Sequence, residues 1–139
     1  MTMNKIKWAL GIIVMGFVLN SQVTLAEHFN GHVDVKVGAL SAAAEKGQIT
    51  FNRTCAACHG NNGEGSLKGP PLIHSIYNPG HHSNQSFYSA VRNGVQQHHW
   101  PYGDMPAQKE IAFSEMAAII QFVREVQQQN GIVLQEHKM

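Results

Sequence analysis

Cys55-Ala56-Ala57-Cys58-His59 decides how the rest of this 139-residue chain is read. Two cysteines three positions apart, with a histidine directly after the second, form the attachment signature of a c-type haem. On a helical turn residues i and i+3 point the same way, so both thiols can meet the two vinyl groups of one porphyrin. A macrocycle fixed there brings the His59 imidazole under the iron as proximal ligand. Two rival uses of the motif stand beside this one. A thioredoxin-like redox pair belongs next to a βαβ pattern, and none is visible. A structural zinc site takes four ligands, and with two cysteines in the whole chain histidines would have to complete it.

The start of the chain reads as an address. Lys5 and Lys7 make a positive segment, and Trp8 to Leu19 is an uncharged apolar run. Thr24-Leu25-Ala26 then offers a cleavage site before Glu27. Twelve apolar residues fall short of the ~20 needed to cross a bilayer. Residues 1–26 are therefore expected to be a secretory signal peptide, and the mature chain a soluble one without a membrane span. Cleavage removes two lysines and no acid, leaving eight basic residues against nine acidic ones. That balance excludes the basic face a nucleic acid needs. In an oxidising compartment two cysteines can pair, but a Cys-x-x-Cys loop is a strained structural staple, whereas thioethers to haem use both sulfurs.

Upstream of the motif, Ala44, Gly47, Phe51, Cys55 and Cys58 recur at three- and four-residue steps, one face of a helix capped by Ser41 with Glu45 in its first turn. Gly47 inside that helix costs about 1 kcal/mol relative to alanine, which a close helix crossing would explain. Before it, Glu27 to Gly38 alternates Val33, Val35 and Val37 with polar residues, an extended arm. Downstream, Gly60 to Gly80 is glycine- and proline-rich loop, long enough that it should wrap something, and a haem edge is the candidate. Asn84 to Asn93 reads as a short helix with Phe87, Ala90 and Val91 inward, ended by Gly94. Val95 to Lys109 is loop again. A last helix capped by Ser114 carries the apolar stripe Met116, Ile119, Ile120, Val123 and Val126, and Asn130-Gly131 ends it.

With these pieces in order, residues 39–131 resemble the small monohaem class I cytochromes c. Gly47 and Phe51 match the family's first-helix pair, and Ile119 and Phe122 the partner positions on its last helix, so the resemblance implies that these two helices cross. Gly69-Pro70 looks like the family's Gly-Pro, whose proline carbonyl accepts the proximal histidine's N–H; here a second proline, Pro71, follows. Such a bond fixes the imidazole's tautomer and raises its basicity. Ala90-Val91-Arg92-Asn93-Gly94 resembles the ending of the third helix. Gly103-Asp104-Met105-Pro106-Ala107 looks like the loop that carries the distal methionine.

Met105 is the expected sixth ligand. Of the other methionines outside the leader, Met116 sits in the last helix's stripe, where packing accounts for it, and Met139 is terminal. A thioether ligand stabilises ferrous iron relative to bis-histidine ligation. The departure from the family pattern is His98-His99-Trp100 just before that loop, and either histidine competes in principle for the iron. Besides His59 there are eight histidines, including the doublets His81-His82 and His98-His99. They read as solvated loop residues, with a second metal site, copper among the candidates, as the alternative. Arg92, Trp100 and Tyr102 are candidate contacts to haem propionates.

The expectation is an all-α, class I cytochrome c fold over 39–131, with an arm at 27–38 and a loose tail at 132–139. It would hold one covalent haem c through Cys55 and Cys58, with His59 and Met105 as axial ligands. The function expected is an exported, periplasmic one-electron carrier, not an enzyme, cycling Fe(III)/Fe(II) by transient docking with redox partners, as donor or acceptor for an oxidase or dehydrogenase. The alternative is a histidine-rich, copper-handling haem protein.

Overall fold

Ser41 starts the first helix as its sequence requires. Its hydroxyl accepts the Ala44 N–H at 3.3 Å, Glu45 lies in the first turn, and α1 runs Ala42–Thr54. In the computed structural model of the protein residues 32–135 are described; the expected leader over 1–26 lies outside them. After a break at Cys55, α2 (Ala56–His59) carries the rest of the Cys-x-x-Cys-His motif. The loop that follows contains two 3-10 turns, Asn61–Gly63 and Ser75–Tyr77. Next comes α3 (Asn84–Asn93), capped by Ser83, and last α4 (Phe113–Gln129). Among the described residues pairing is limited to two isolated bridges, Ser66 with Gly69 and Val95 with Met105. The class is all-α among the described residues.

The core is the crossing of α1 and α4. Ala44, Gly47 and Phe51 bury one face of α1, and Met116, Ile119, Phe122, Val123 and Val126 bury the facing stripe. At Gly47 a β-carbon would stand 1.9 Å from the Ala118 carbonyl oxygen and 2.9 Å from the Phe122 β-carbon. Only glycine permits backbones this close, which accounts for its presence in mid-helix. One turn on, the Phe51 and Phe122 rings meet at 5.6 Å between centroids, tilted 53°.

The start of α4 differs from the expected cap. Its N-cap is Ala112, and Ser114 is an exposed residue of the first turn. Glu115 explains the shift, because its carboxylate accepts the Ala112 N–H at 3.1 Å and satisfies that end without a hydroxyl. The same carboxylate meets Arg53 at 3.1 Å.

The arm acquires a role. Val33, Val35 and Val37 are half-buried against the core, as their alternation requires. The Lys36 N–H donates to the Asn130 side-chain oxygen, and the Asn130 amide donates back to the Lys36 carbonyl. Gln129 makes the corresponding exchange with the Gly38 N–H and the Ala39 carbonyl. The arm is thus clamped to the end of α4. The tail begins less loosely than its composition implies: Ile132 packs on the core, and the Ile132 N–H donates to the Gln127 carbonyl at 2.8 Å.

Candidate functional site

Between α3, α4 and the two loops lies a cavity of about 1040 Å³, lined by apolar residues such as Phe51, Leu72, Val95 and Ile119. Cys55, His59, Pro70 and Met105 stand on its wall. Met105 comes from the loop after α3, which the Val95–Met105 bridge closes with two hydrogen bonds of 2.9 Å. Asp104 holds the same loop by accepting the Gln97 N–H at 2.9 Å.

The His59 imidazole is oriented from behind. Its Nδ1 is 2.9 Å from the Pro70 carbonyl, an atom that can only accept, so the proton sits on Nδ1 and the lone pair on Nε2. Burial lowers the His59 pKa, with the Pro70 bond acting the other way, and the neutral ring is favoured. Gly69 makes the approach possible: a β-carbon there would stand 2.8 Å from the Cys58 carbonyl oxygen. Burial pushes the Cys55 thiol up, against a partial lowering by the Thr54 hydroxyl. Cys58 is exposed.

Of the expected propionate contacts, Trp100 and Tyr102 do line the cavity. Burial pushes the pKa of the Tyr77 hydroxyl up to about 12, with neighbouring Trp100 acting the other way. Arg92 departs from the expectation. On α3, Ser86, Phe87, Ala90 and Val91 face the cavity, whereas Tyr88 and Arg92, four apart, share another face. Arg92 is exposed and donates to the Lys109 carbonyl at 3.3 Å.

Two residues with no motif around them complete the site's frame. Gln127, fully buried on α4, donates to the Leu72 and Tyr77 carbonyls at 2.9 and 3.0 Å. Arg124, one turn earlier, donates to the Tyr77 carbonyl at 2.9 Å, to the Asn84 side chain at 2.9 Å and to the His82 carbonyl. Its guanidinium also lies 4.8 Å from the Phe87 ring centre. The apolar stripe of α4 is the only sequence signal near them, and it marks the helix without revealing that its polar flank binds the loop.

The histidine doublets do not point separately into solvent. His81 and His99 bring their Nε2 atoms to 3.3 Å, and ligand atoms of His81, His82 and His99 all lie within 4.8 Å of one another. The His82 Nδ1 donates to the Ile76 carbonyl at 2.8 Å. The His98 and His99 rings lie with centroids 4.4 Å apart, tilted by 55°. Burial and neighbouring rings lower the pKa of both His82 and His99.

A helical shell around an apolar cavity, with Cys-x-x-Cys-His on one side and a methionine loop on the same wall, defines a protein that carries a covalent haem. The chain matches the Cytochrome c family over residues 44–127, more than half its length, and belongs to that family as a small monohaem class I member. As a member of that family it carries one covalently bound haem c. Thirty-nine residues are 49% identical to a cbb3-type cytochrome c oxidase subunit CcoP of Azospirillum brasilense, covering 24% of this chain and 13% of that protein. The c-type cytochrome XoxG of Methylobacterium extorquens AM1 superposes with a TM-score of 0.53 at 19% identity. That alignment covers 71% of this chain and 61% of XoxG, and it bears on the fold alone. Cytochrome CL of Methylophaga aminisulfidivorans MPT aligns over 70% of this chain and 69% of its own, at 21% identity and a TM-score of 0.49. Among the described residues no helix is long and apolar enough to cross a membrane.

Proposed function

We propose that this protein is an exported one-electron carrier, with Cys55 and Cys58 as the thioether attachment points and His59 and Met105 as the axial ligands. The observation that carries the reading is the 2.9 Å contact from His59 Nδ1 to the Pro70 carbonyl, on the cavity wall that also bears Cys55 and Met105. Haem c bound there supplies a one-electron couple. The chain's part is to hold that couple still. His59 keeps its proton on Nδ1 and its lone pair toward the cavity. The Val95–Met105 bridge fixes the methionine loop, and the apolar wall keeps water away. A low-dielectric pocket with pre-set ligands changes little between oxidation states, which is what fast electron exchange requires.

Residues 1–26 are proposed to direct export to the periplasm, and the partners to be redox proteins that dock transiently. The CcoP relative is named as an oxidase subunit, so a terminal oxidase is one class of partner this chain would serve. Neither a nucleophile nor an acid–base pair figures in the proposal, which is for a carrier and not a catalyst.

The test is absorption spectroscopy of the full chain, produced in cells that mature c-type cytochromes, beside Met105→Leu. Expected are a reduced α-band that survives acid–acetone extraction and a weak far-red band in the oxidised form that Met105→Leu abolishes. Covalent haem whose far-red region is the same in Met105→Leu and the parent would overturn Met105 as ligand. Fractionation of the same cells checks export: haem protein retained in the cytoplasm with residues 1–26 intact would overturn it.

A further inference from the structure

We propose that His81, His82 and His99 form a binding site for a borderline divalent metal ion of the zinc(II)/copper(II) class, separate from the haem ligands. The three residues come from two loops 17 residues apart in sequence, yet their ligand atoms all lie within 4.8 Å of one another. Three imidazoles are the donor set that zinc and copper favour, and three protein ligands leave a fourth position open.

The His81–His99 spacing fits the ion's size, and His82 closes on it from within 4.8 Å. Zinc binds imidazole nitrogen at about 2.0–2.1 Å, so tetrahedral geometry sets two such nitrogens roughly 3.3 Å apart. The His81 and His99 Nε2 atoms are 3.3 Å apart. A bond from one ring to the other gives the same separation, and metal titration distinguishes the two. His82 is pre-set as a ligand, since its Nδ1–H is engaged by the Ile76 carbonyl at 2.8 Å and Nε2 is left with the lone pair. This is the arrangement that orients metal-binding histidines generally.

Both sides of the site are anchored. The Asn78 carbonyl accepts the His81 and His82 N–H groups at 3.1 and 2.9 Å, and Arg124 holds the His82 carbonyl from α4. His99 rides on the 95–105 loop that the Val95–Met105 bridge closes. His81 and His99 are exposed, so an ion reaches them from solvent without opening the core. A bound ion clips the methionine loop to the 78–83 segment across the cavity rim. The site rests on Met105 being the sixth iron ligand, because His99 lines the same cavity and otherwise competes for the iron.

The experiment is calorimetric titration of zinc(II) into the untagged, haem-loaded protein and into His81→Gln, His99→Gln and His98→Gln. The haem absorption band verifies that each variant is assembled. One equivalent bound tighter than about 1 µM by the parent is expected. His81→Gln and His99→Gln should each weaken it at least tenfold, on the scale of losing a metal-site partner, while His98→Gln stays within a few-fold. As a second readout, zinc should slow backbone hydrogen exchange in residues 95–105 of the parent and leave that of His99→Gln unchanged. Affinity weaker than about 10 µM, or unaltered binding in both His81→Gln and His99→Gln, would overturn the site.

Discussion

The α1–α4 crossing and the loops around the cavity are built by opposite means. At the crossing, two helices bury complementary apolar stripes, and the contact is fixed by a missing side chain at Gly47 and the Phe51–Phe122 ring pair. The 60–83 and 95–105 loops have little regular structure, and polar side chains hold them: Gln127 and Arg124 reach the first from α4, and Asp104 ties the second to itself. Packing thus supplies the rigid frame, and hydrogen bonds to loop carbonyls set the positions of the groups that do chemistry. A frame of this kind tolerates variation in its loops without losing the fold.

The largest effect should come from closing the gap at the crossing. Gly47→Ala places a β-carbon 1.9 Å from the Ala118 carbonyl oxygen, where backbone must move and no flexible side chain can yield. A loss of about 3 kcal/mol is expected, at the upper end of overpacking costs, despite alanine's better helix propensity. Chemical denaturation of the holoprotein measures it. A variant as stable as the parent would mean that the crossing is looser than this geometry.

An intermediate effect belongs to the loop frame. Gln127→Leu keeps the bulk but leaves the Leu72 and Tyr77 carbonyls without the amide that pairs them. About 2 kcal/mol is expected, the cost of unsatisfied buried acceptors, with Arg124 still partnering Tyr77. The change should loosen the 60–83 loop selectively, so hydrogen exchange there should rise while α1 remains protected. Uniform loss of protection across both helices would show that Gln127 belongs to the core and not to the loop frame.

What the sequence discloses divides along the same line. α1, α3 and the stripe of α4 are legible because helical periodicity is local and survives without knowledge of the partner. The Cys-x-x-Cys-His motif is legible because its spacing is itself chemical, whereas Met105 stands out through the resemblance of its loop to the family's. Gln127 and Arg124 are not, since on paper they are the polar flank of an amphipathic helix, and only the folded 60–83 loop buries Gln127 and half-covers Arg124. The gathering of His81, His82 and His99 is hidden for the same reason: two loops without period must close before the rings meet. Arg92 stands one residue of helical rotation off the cavity wall, since its neighbour Val91 is buried and it is not. Ser114 fails because residue type alone does not reveal that Glu115 already occupies the helix end.

The smallest effect tests where the two modes of construction meet. Glu125 on α4 accepts the Ser41 N–H at 2.9 Å and the Ser41 hydroxyl at 2.6 Å, tying the cap of α1 to the last helix by polar contact alone. These bonds, the Ser41 hydroxyl first, hold the Glu125 carboxyl below the ordinary carboxylate range. A carboxyl whose pKa is lower in the folded than in the unfolded state stabilises the fold above its unfolded value, about 4.3, and loses that contribution as pH falls through the folded value. Because the group is largely in solvent, Glu125→Gln should cost less than about 1 kcal/mol at pH 7. The difference from the parent should shrink as pH falls below about 4, since protonated Glu125 resembles glutamine in charge. Denaturation midpoints of the two proteins between pH 7 and pH 3 measure that gap. A gap that stays constant over this range would mean that the carboxylate's charge contributes nothing, and that Ser41 caps α1 without help from α4.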